Sequence, residues 1–248
     1  MNFFVFDGRN SRDWRVGLSG SGTYDAPARK GESVAIPGRN GAVWVDEGAY
    51  ENTMLRYPCW IADGFNERVD DFRAFLMAHG DKYYRLEDSY HPDEFRLARY
   101  PGEFVAEPGT RNLTGRFELY FDCDPRRWLK SGEYERELFV VEGATEEGTT
   151  TTLYNPTHFP AAPILQFENA QIGSIYFNDV RLAFLEAVDA AYLDCETYVW
   201  TDLDGMVIAP NVEIYGDLRL QPGETTIRET CSLVNYFWCA ITPRWWTI

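Results

Sequence analysis

A chain of 248 residues is too long for one average domain and too short for three, at about 150 residues per domain. Hydrophobic residues at 45%, with 20 glycines and 13 prolines, are ordinary for a globular protein and exclude a disordered or fibrous one. The net charge of −16, from 39 acidic against 23 basic side chains, argues against a phosphate backbone as a specific partner and against adhesion to anionic membranes.

From the N-terminus, Phe3–Phe6 reads as a short strand. Its four apolar residues meet Asp7 and Arg9, so no signal peptide is expected, and with no apolar run of 18 residues no membrane span is expected either. Gly17-Leu18-Ser19-Gly20-Ser21-Gly22 is glycine-rich but lacks the Lys-Ser/Thr of a phosphate loop and reads as a connection between strands. Ser33–Pro37 and Ala42–Val45 then form a hairpin. Asn40-Gly41 is the favoured pair for a type I′ turn, in which both central residues need φ > 0. A helix follows over Asn66–His79: Asn66 starts it, Glu67, Asp70 and Asp71 complement its dipole, and Gly80 ends it. Val69, Phe72, Phe75, Leu76 and His79 give it one apolar stripe.

Phe117–Asp122 is the next strand, and beyond it the composition changes. Residues 1–135 carry 18 basic and 23 acidic side chains; residues 136–248 carry 5 and 16, with Arg the only base. This step lies beside the turn-rich Lys130-Ser131-Gly132 and before the Gly143–Thr152 run, and places a domain boundary near 133–137. The expected domains are therefore 1–135 and 136–248. In the second, Pro163–Phe167, Ser174–Phe177, Tyr192–Trp200 and Tyr236–Thr242 are rich in β-branched and aromatic residues. Asn40-Gly41, Pro101-Gly102, Pro108-Gly109 and Pro222-Gly223 supply turns at the spacing of a sandwich or barrel. The fold class expected is mainly β, with one helix in the first domain and a β-sandwich as the second.

The residues of chemistry form no local constellation. Five cysteines (Cys59, Cys123, Cys195, Cys231 and Cys239) show no C-x-x-C and read as buried reduced thiols. His79, His91 and His158 are scattered, without the spacing of a metal-ligand pair. Asp122 with Asp124, Asp202 with Asp204, and Glu146 with Glu147 could each be nominated as a glycosidase pair, yet none stands above the other acids. No catalytic residue, metal site or cofactor is expected. Asn112-Leu113-Thr114 matches the glycosylation pattern by chance if the chain follows no secretory route. Trp200, Trp238, Trp245 and Trp246 could build a sugar- or partner-binding face, although such residues more often fill cores and interfaces.

As a whole the chain resembles the distal tail protein (Dit) family of phages with long, non-contractile tails. The resemblance is carried first by Val34-Ala35-Ile36-Pro37-Gly38-Arg39-Asn40-Gly41 and Asp46-Glu47-Gly48-Ala49-Tyr50-Glu51-Asn52. The helix follows, then Tyr83-Tyr84-Arg85-Leu86-Glu87-Asp88, Phe95-Arg96-Leu97-Ala98 and Phe121-Asp122-Cys123-Asp124-Pro125. In the second half Asn155-Pro156, Ala162-Pro163-Ile164, Leu193-Asp194-Cys195-Glu196, Leu220-Gln221-Pro222-Gly223 and Ile241-Thr242-Pro243-Arg244-Trp245 keep the family's order in outline, with Thr157 where a glycine is usual.

The resemblance implies a structural virion protein, not an enzyme, assembled in the host bacterial cytoplasm and located at the tail tip. The first domain would build a hexameric ring and the second, a galectin-like or carbohydrate-module-like sandwich, would project outward. The implied partners are further copies of the chain, the tail tube protein, the tail-associated hub or tape-measure proteins, and a receptor-binding protein or host surface glycan. It also gives the hairpin around Pro37, Gly38, Arg39, Asn40 and Gly41 a use in reaching a neighbouring subunit, where the residues alone require only an exposed turn. Two rival readings stand beside it: a carbohydrate-binding module and a cell-wall-degrading tail enzyme.

Overall fold

The computed structural model describes residues 1–20, 22–141, 148–230 and 236–248. They fall into two compact units, Met1–Arg127 together with Ile248, and Trp128–Thr247. Both are mainly β, as the alternation and turn signals predict.

The strands of the first unit are β1 (Phe4–Phe6), β2 (Arg9–Asn10), β3 (Val16–Leu18), β4 (Arg29–Ala35), β5 (Ala42–Tyr50), β6 (Thr53–Ile61), β7 (Tyr84–Asp88), β8 (Glu94–Arg99), β9 (Ala106–Pro108) and β10 (Gly115–Leu129), with helix α1 (Phe65–Met77) after β6. The main sheet runs β2-β1-β7-β8-β10-β6-β3, with β9 beside β10. It curls on itself: an isolated bridge joins Asn2 to Leu18, bringing β3 back to the residues before β1. Strict alternation sends Leu55, Tyr57, Cys59 and Ile61 of β6, and Phe117, Leu119 and Phe121 of β10, to the inner face. Helix α1 covers that face. Phe72 is fully buried and meets the rings of Phe4, Trp14, Phe104 and Phe117.

Both helix ends differ from the sequence expectation. The helix starts at Phe65, not Asn66, and its N-cap is Gly64 at φ +70°, a left-handed backbone that favours glycine. The Phe65 N–H, one of the helix's unpaired first donors, is satisfied by the Leu113 carbonyl at 3.0 Å, and Gly64 offers no capping side chain. At the other end the cap is Ala78 in ordinary helical geometry. Gly80 serves a different purpose there, because a Cβ on it would stand 3.0 Å from the Tyr100 carbonyl oxygen.

The second unit contains β11 (Arg136–Val141), β12 (Thr150–Asn155), β13 (Ile164–Ala170), β14 (Gly173–Phe177), β15 (Val180–Phe184), β16 (Val188–Asp194), β17 (Val199–Thr201), β18 (Val207–Ile208), β19 (Val212–Tyr215), β20 (Gly223–Glu229), β21 (Phe237–Thr242) and β22 (Trp246–Thr247). Its two sheets run β11-β21-β13-β16-β17-β18 and β12-β20-β14-β15-β19. Leu165, Phe167, Leu193 and Ile241 of one share a core with Ile175, Leu182, Phe184 and Ile227 of the other, the pattern of a β-sandwich. The single strand expected over Tyr192–Trp200 is a hairpin. Asp194 accepts a hydrogen bond from the Glu196 N–H, the Tyr198 N–H closes on the Asp194 carbonyl at 2.7 Å, and Tyr198 takes φ +56°. Alternating residues there gave a strand pattern, but the aspartate's local hydrogen bonds turn the chain.

Candidate assembly surface

Among the described residues, strands β4 and β5 pair only with each other, in a sheet of two. Their register runs from Ala35↔Ala42 back to Arg29↔Tyr50 with one irregularity between Arg29 and Gly31. Directly opposed residues share a face, so Val34, Val43 and Val45 lie on one side and Ala35, Ala42 and Trp44 on the other. Trp44 lies over Gly31, where a Cβ would come within 2.5 Å of the indole, so the glycine is required by close packing. Trp44 is nevertheless 53% exposed, and Val34, Ile36 and Val45 are exposed as well. An isolated two-stranded hairpin is marginal in water. One that shows apolar side chains on both faces has the composition of an interface element.

The turn is not the one expected. The Arg39 N–H bonds the Ile36 carbonyl at 3.1 Å across Pro37 and Gly38, and Gly38 has φ +79°. Proline at the second position and a positive-φ glycine at the third define a type II turn. Asn40 lacks the positive φ of a type I′ turn, whereas Gly41 has φ +80° as the chain enters β5. Proline's fixed φ decides between the two possible turns.

The base of the arm is clamped. The Glu51 N–H bonds the Ala28 carbonyl at 2.8 Å, and Arg29 pairs with Asp46 while donating to the Tyr50 hydroxyl at 3.0 Å. The Gly48 amide, and after it the Arg29 guanidinium, hold the Asp46 carboxyl below the usual carboxylate range. Beyond β5, Asn52 Nδ2 donates to Asp122 Oδ1 at 2.8 Å and to the Tyr83 hydroxyl at 2.5 Å. Arg99 Nε donates to the other Asp122 oxygen at 2.7 Å. On the near side, the Tyr90 hydroxyl donates to the Ser19 carbonyl, and His91 Nε2 lies 3.0 Å from the Thr23 carbonyl. Asn52, Tyr83 and Asp122, drawn from three separate sequence motifs, thus meet at one point. Their spacing of tens of residues gave no signal of that contact.

The other candidates of the sequence take structural places. Trp245 (1% exposed) and Trp200 (9%) belong to the second unit's core, which corrects the reading of four tryptophans as one binding face. Gly132 allows the approach of Trp245, since a Cβ there would lie 2.3 Å from its backbone nitrogen. Trp238 donates to Glu137 at 3.2 Å; Trp246 stacks on Phe159 and donates to the Pro160 carbonyl. Asp124 pairs with Arg126, and Asp202 accepts from the Asp204 and Met206 amides. His79 lies between the Phe75 carbonyl at 2.6 Å and Asp7 at 3.1 Å. Cys59, Cys123 and Cys195 are free and buried, Cys239 is buried as well, and desolvation pushes the Cys123 thiol up to about 12. Cys231, Glu146 and Glu147 lie outside the described residues. Among the described residues no group of three or more His, Cys, Asp or Glu side chains could hold a metal ion, and no helix is long and apolar enough to cross a membrane.

A curled sheet carrying one helix and a free hairpin, followed in the same chain by a β-sandwich, defines the Dit-like fold. The chain shares that fold over its whole length with the crystal structure of the Dit protein (gp 19.1) of phage SPP1, described as a paradigm of the hub adsorption apparatus in phages that infect Gram-positive bacteria. The TM-score is 0.73 at 16% identity, with 100% of both chains covered. The baseplate of phage p2 in its activated conformation also matches, at a TM-score of 0.46 and 9% identity over 97% of each chain. No protein-family model and no curated protein matches the chain.

Proposed function

We propose that this protein is a structural component of a phage tail tip, a hub subunit that closes with copies of itself into a six-membered ring. The observation that carries the reading is the full-length match, in which one chain of the SPP1 adsorption hub aligns with both units. The exposed hairpin supports it, because an arm with apolar residues on both faces suits insertion against a neighbour. The arm of each subunit, with Pro37–Gly41 at its tip, would contact the next in a head-to-tail contact that closes by rotation. One side of the ring would meet the tail tube protein and the other the tail-associated hub or tape-measure proteins. The second unit would face outward, toward a receptor-binding protein or a host surface glycan. The protein would reach the virion after assembly in the host cytoplasm.

In this reading the protein carries no enzymatic activity; measurable turnover of cell-wall polymer by the purified chain would overturn that part. The carbohydrate-module alternative has lost its main support, since Trp200 and Trp245 are committed to the core. Light scattering and electron microscopy of the purified chain test the proposal. Closed rings of six are expected, and a monomer at tens of micromolar would overturn unassisted ring formation.

A further inference from the structure

We propose that Asn40 is a site of spontaneous covalent modification, in which its side-chain amide is lost through attack by the backbone nitrogen of Gly41. Of the asparagines in the chain, only Asn40 is followed by glycine. It lies between β4 and β5, outside regular secondary structure, and is exposed. Among the described residues the Gly41 N–H makes no hydrogen bond, and a Cβ at Gly41 would meet nothing within 4 Å. The nucleophile is therefore unhindered and not engaged elsewhere. The contrast with other asparagines is specific: Asn10, Asn52, Asn155, Asn169, Asn178 and Asn211 all have side-chain amides held by hydrogen bonds. Asn40 has none.

The step balances without any redox partner. The Gly41 nitrogen forms a bond to Cγ of Asn40 as the Cγ–Nδ2 bond breaks, and ammonia leaves carrying the proton that the backbone nitrogen gives up. Water then opens the cyclic imide at either carbonyl, producing aspartate or, with the main chain rerouted through the side chain, isoaspartate. Either product places a negative charge beside Arg39, which has no ion-pair partner among the described residues to compete for it. The reaction needs only the single chain, and a neighbour packed on the arm tip in the proposed ring would slow it.

The test is to age the purified full-length protein in mildly alkaline buffer and follow each asparagine by peptide mass spectrometry. Cleavage after Arg39 and Arg56 isolates Asn40, and fragmentation separates it from Asn52. Conversion appears as replacement of an amide by an acid, and isoaspartate is read separately by enzymatic methylation. Because glycine removes the steric barrier, conversion of Asn40 should be on the order of tenfold faster than at Asn66 or Asn112. The Asn40→Gln variant should bring methylation down to background. A chain unfolded in urea controls for protection by the fold. Conversion of Asn40 no faster than that of Asn66 or Asn112, or conversion only in urea, would overturn the proposal.

Discussion

Arg244 shows how one residue secures the end of the second unit. At φ +56° it turns the chain after β21, donating to the Ala162 carbonyl at 2.6 Å and forming a forked pair with both oxygens of Asp194 at 2.8 and 3.1 Å. Burial alone would raise the Asp194 carboxyl, but the Arg244 guanidinium and the Glu196 amide outweigh it and hold the group below the usual 3.8. A carboxylate depressed in the folded state adds stability above its unfolded value, and that stability is lost as pH falls through the lower folded value. Arg244→Ala should lower the urea midpoint of the second unit at neutral pH by the equivalent of about 1–2 kcal/mol, toward the low end because the pair is partly solvated. Below pH 3.8 the gap between variant and wild type should narrow. An unchanged gap there would mean that Arg244 acts through its carbonyl contact alone. Sequence reading placed Asp194 and Arg244 in separate motifs of the resemblance but could not pair residues half a domain apart. Likewise, burial of Trp200 and Trp245 follows from sandwich packing, which no local pattern of tryptophans encodes.

At the scale of the element, the helix and the arm show what periodicity can and cannot supply. The stripe from Val69 to Leu76 was legible because an apolar step of three and four residues has one cheap solution, a helix laid on a sheet. Its N-terminus was not, because the acceptor for the Phe65 N–H comes from Leu113, far along the chain, and lets the helix begin one residue before Asn66. Phe72 is the element's anchor. Phe72→Ala should destabilise the first unit by about 3–5 kcal/mol, since four aromatic neighbours cannot collapse fully into the space left. Urea denaturation followed by fluorescence would measure it, and a loss under about 1 kcal/mol would mean that the cavity closes more readily than rigid packing allows. The arm's strands were legible from composition, but their isolation from both cores was not: exposure of Trp44 and Val45 runs against their hydropathy and fits the neighbour that the proposed ring supplies.

For the whole molecule, the division into two compact units falls between Arg127 and Trp128, inside β10, whereas the step in charge lies at 133–137. Charge reports the solvated surface, while compactness follows the core. Leu129, near the end of the same strand, already packs with the second unit's core. The ring proposed for the first unit rests on the arm, and Gly41 is the place to perturb it without dismantling a subunit. A Cβ there meets no atom within 4 Å, so the main cost of Val is that of a β-branched residue at φ +80°, about 1–2 kcal/mol. A domain of typical stability, about 5–15 kcal/mol, tolerates that loss, and the β-rich circular dichroism of Gly41→Val should match that of wild type. A ring is less tolerant, because each subunit contributes the same altered arm and every contact weakens together. The variant should therefore shift from hexamer toward smaller species in light scattering, and the shift should grow on dilution. A variant hexamer as resistant to dilution as the wild type would make the arm an exposed turn with no part in closing the ring, and the contact would have to be sought on the curled sheet itself.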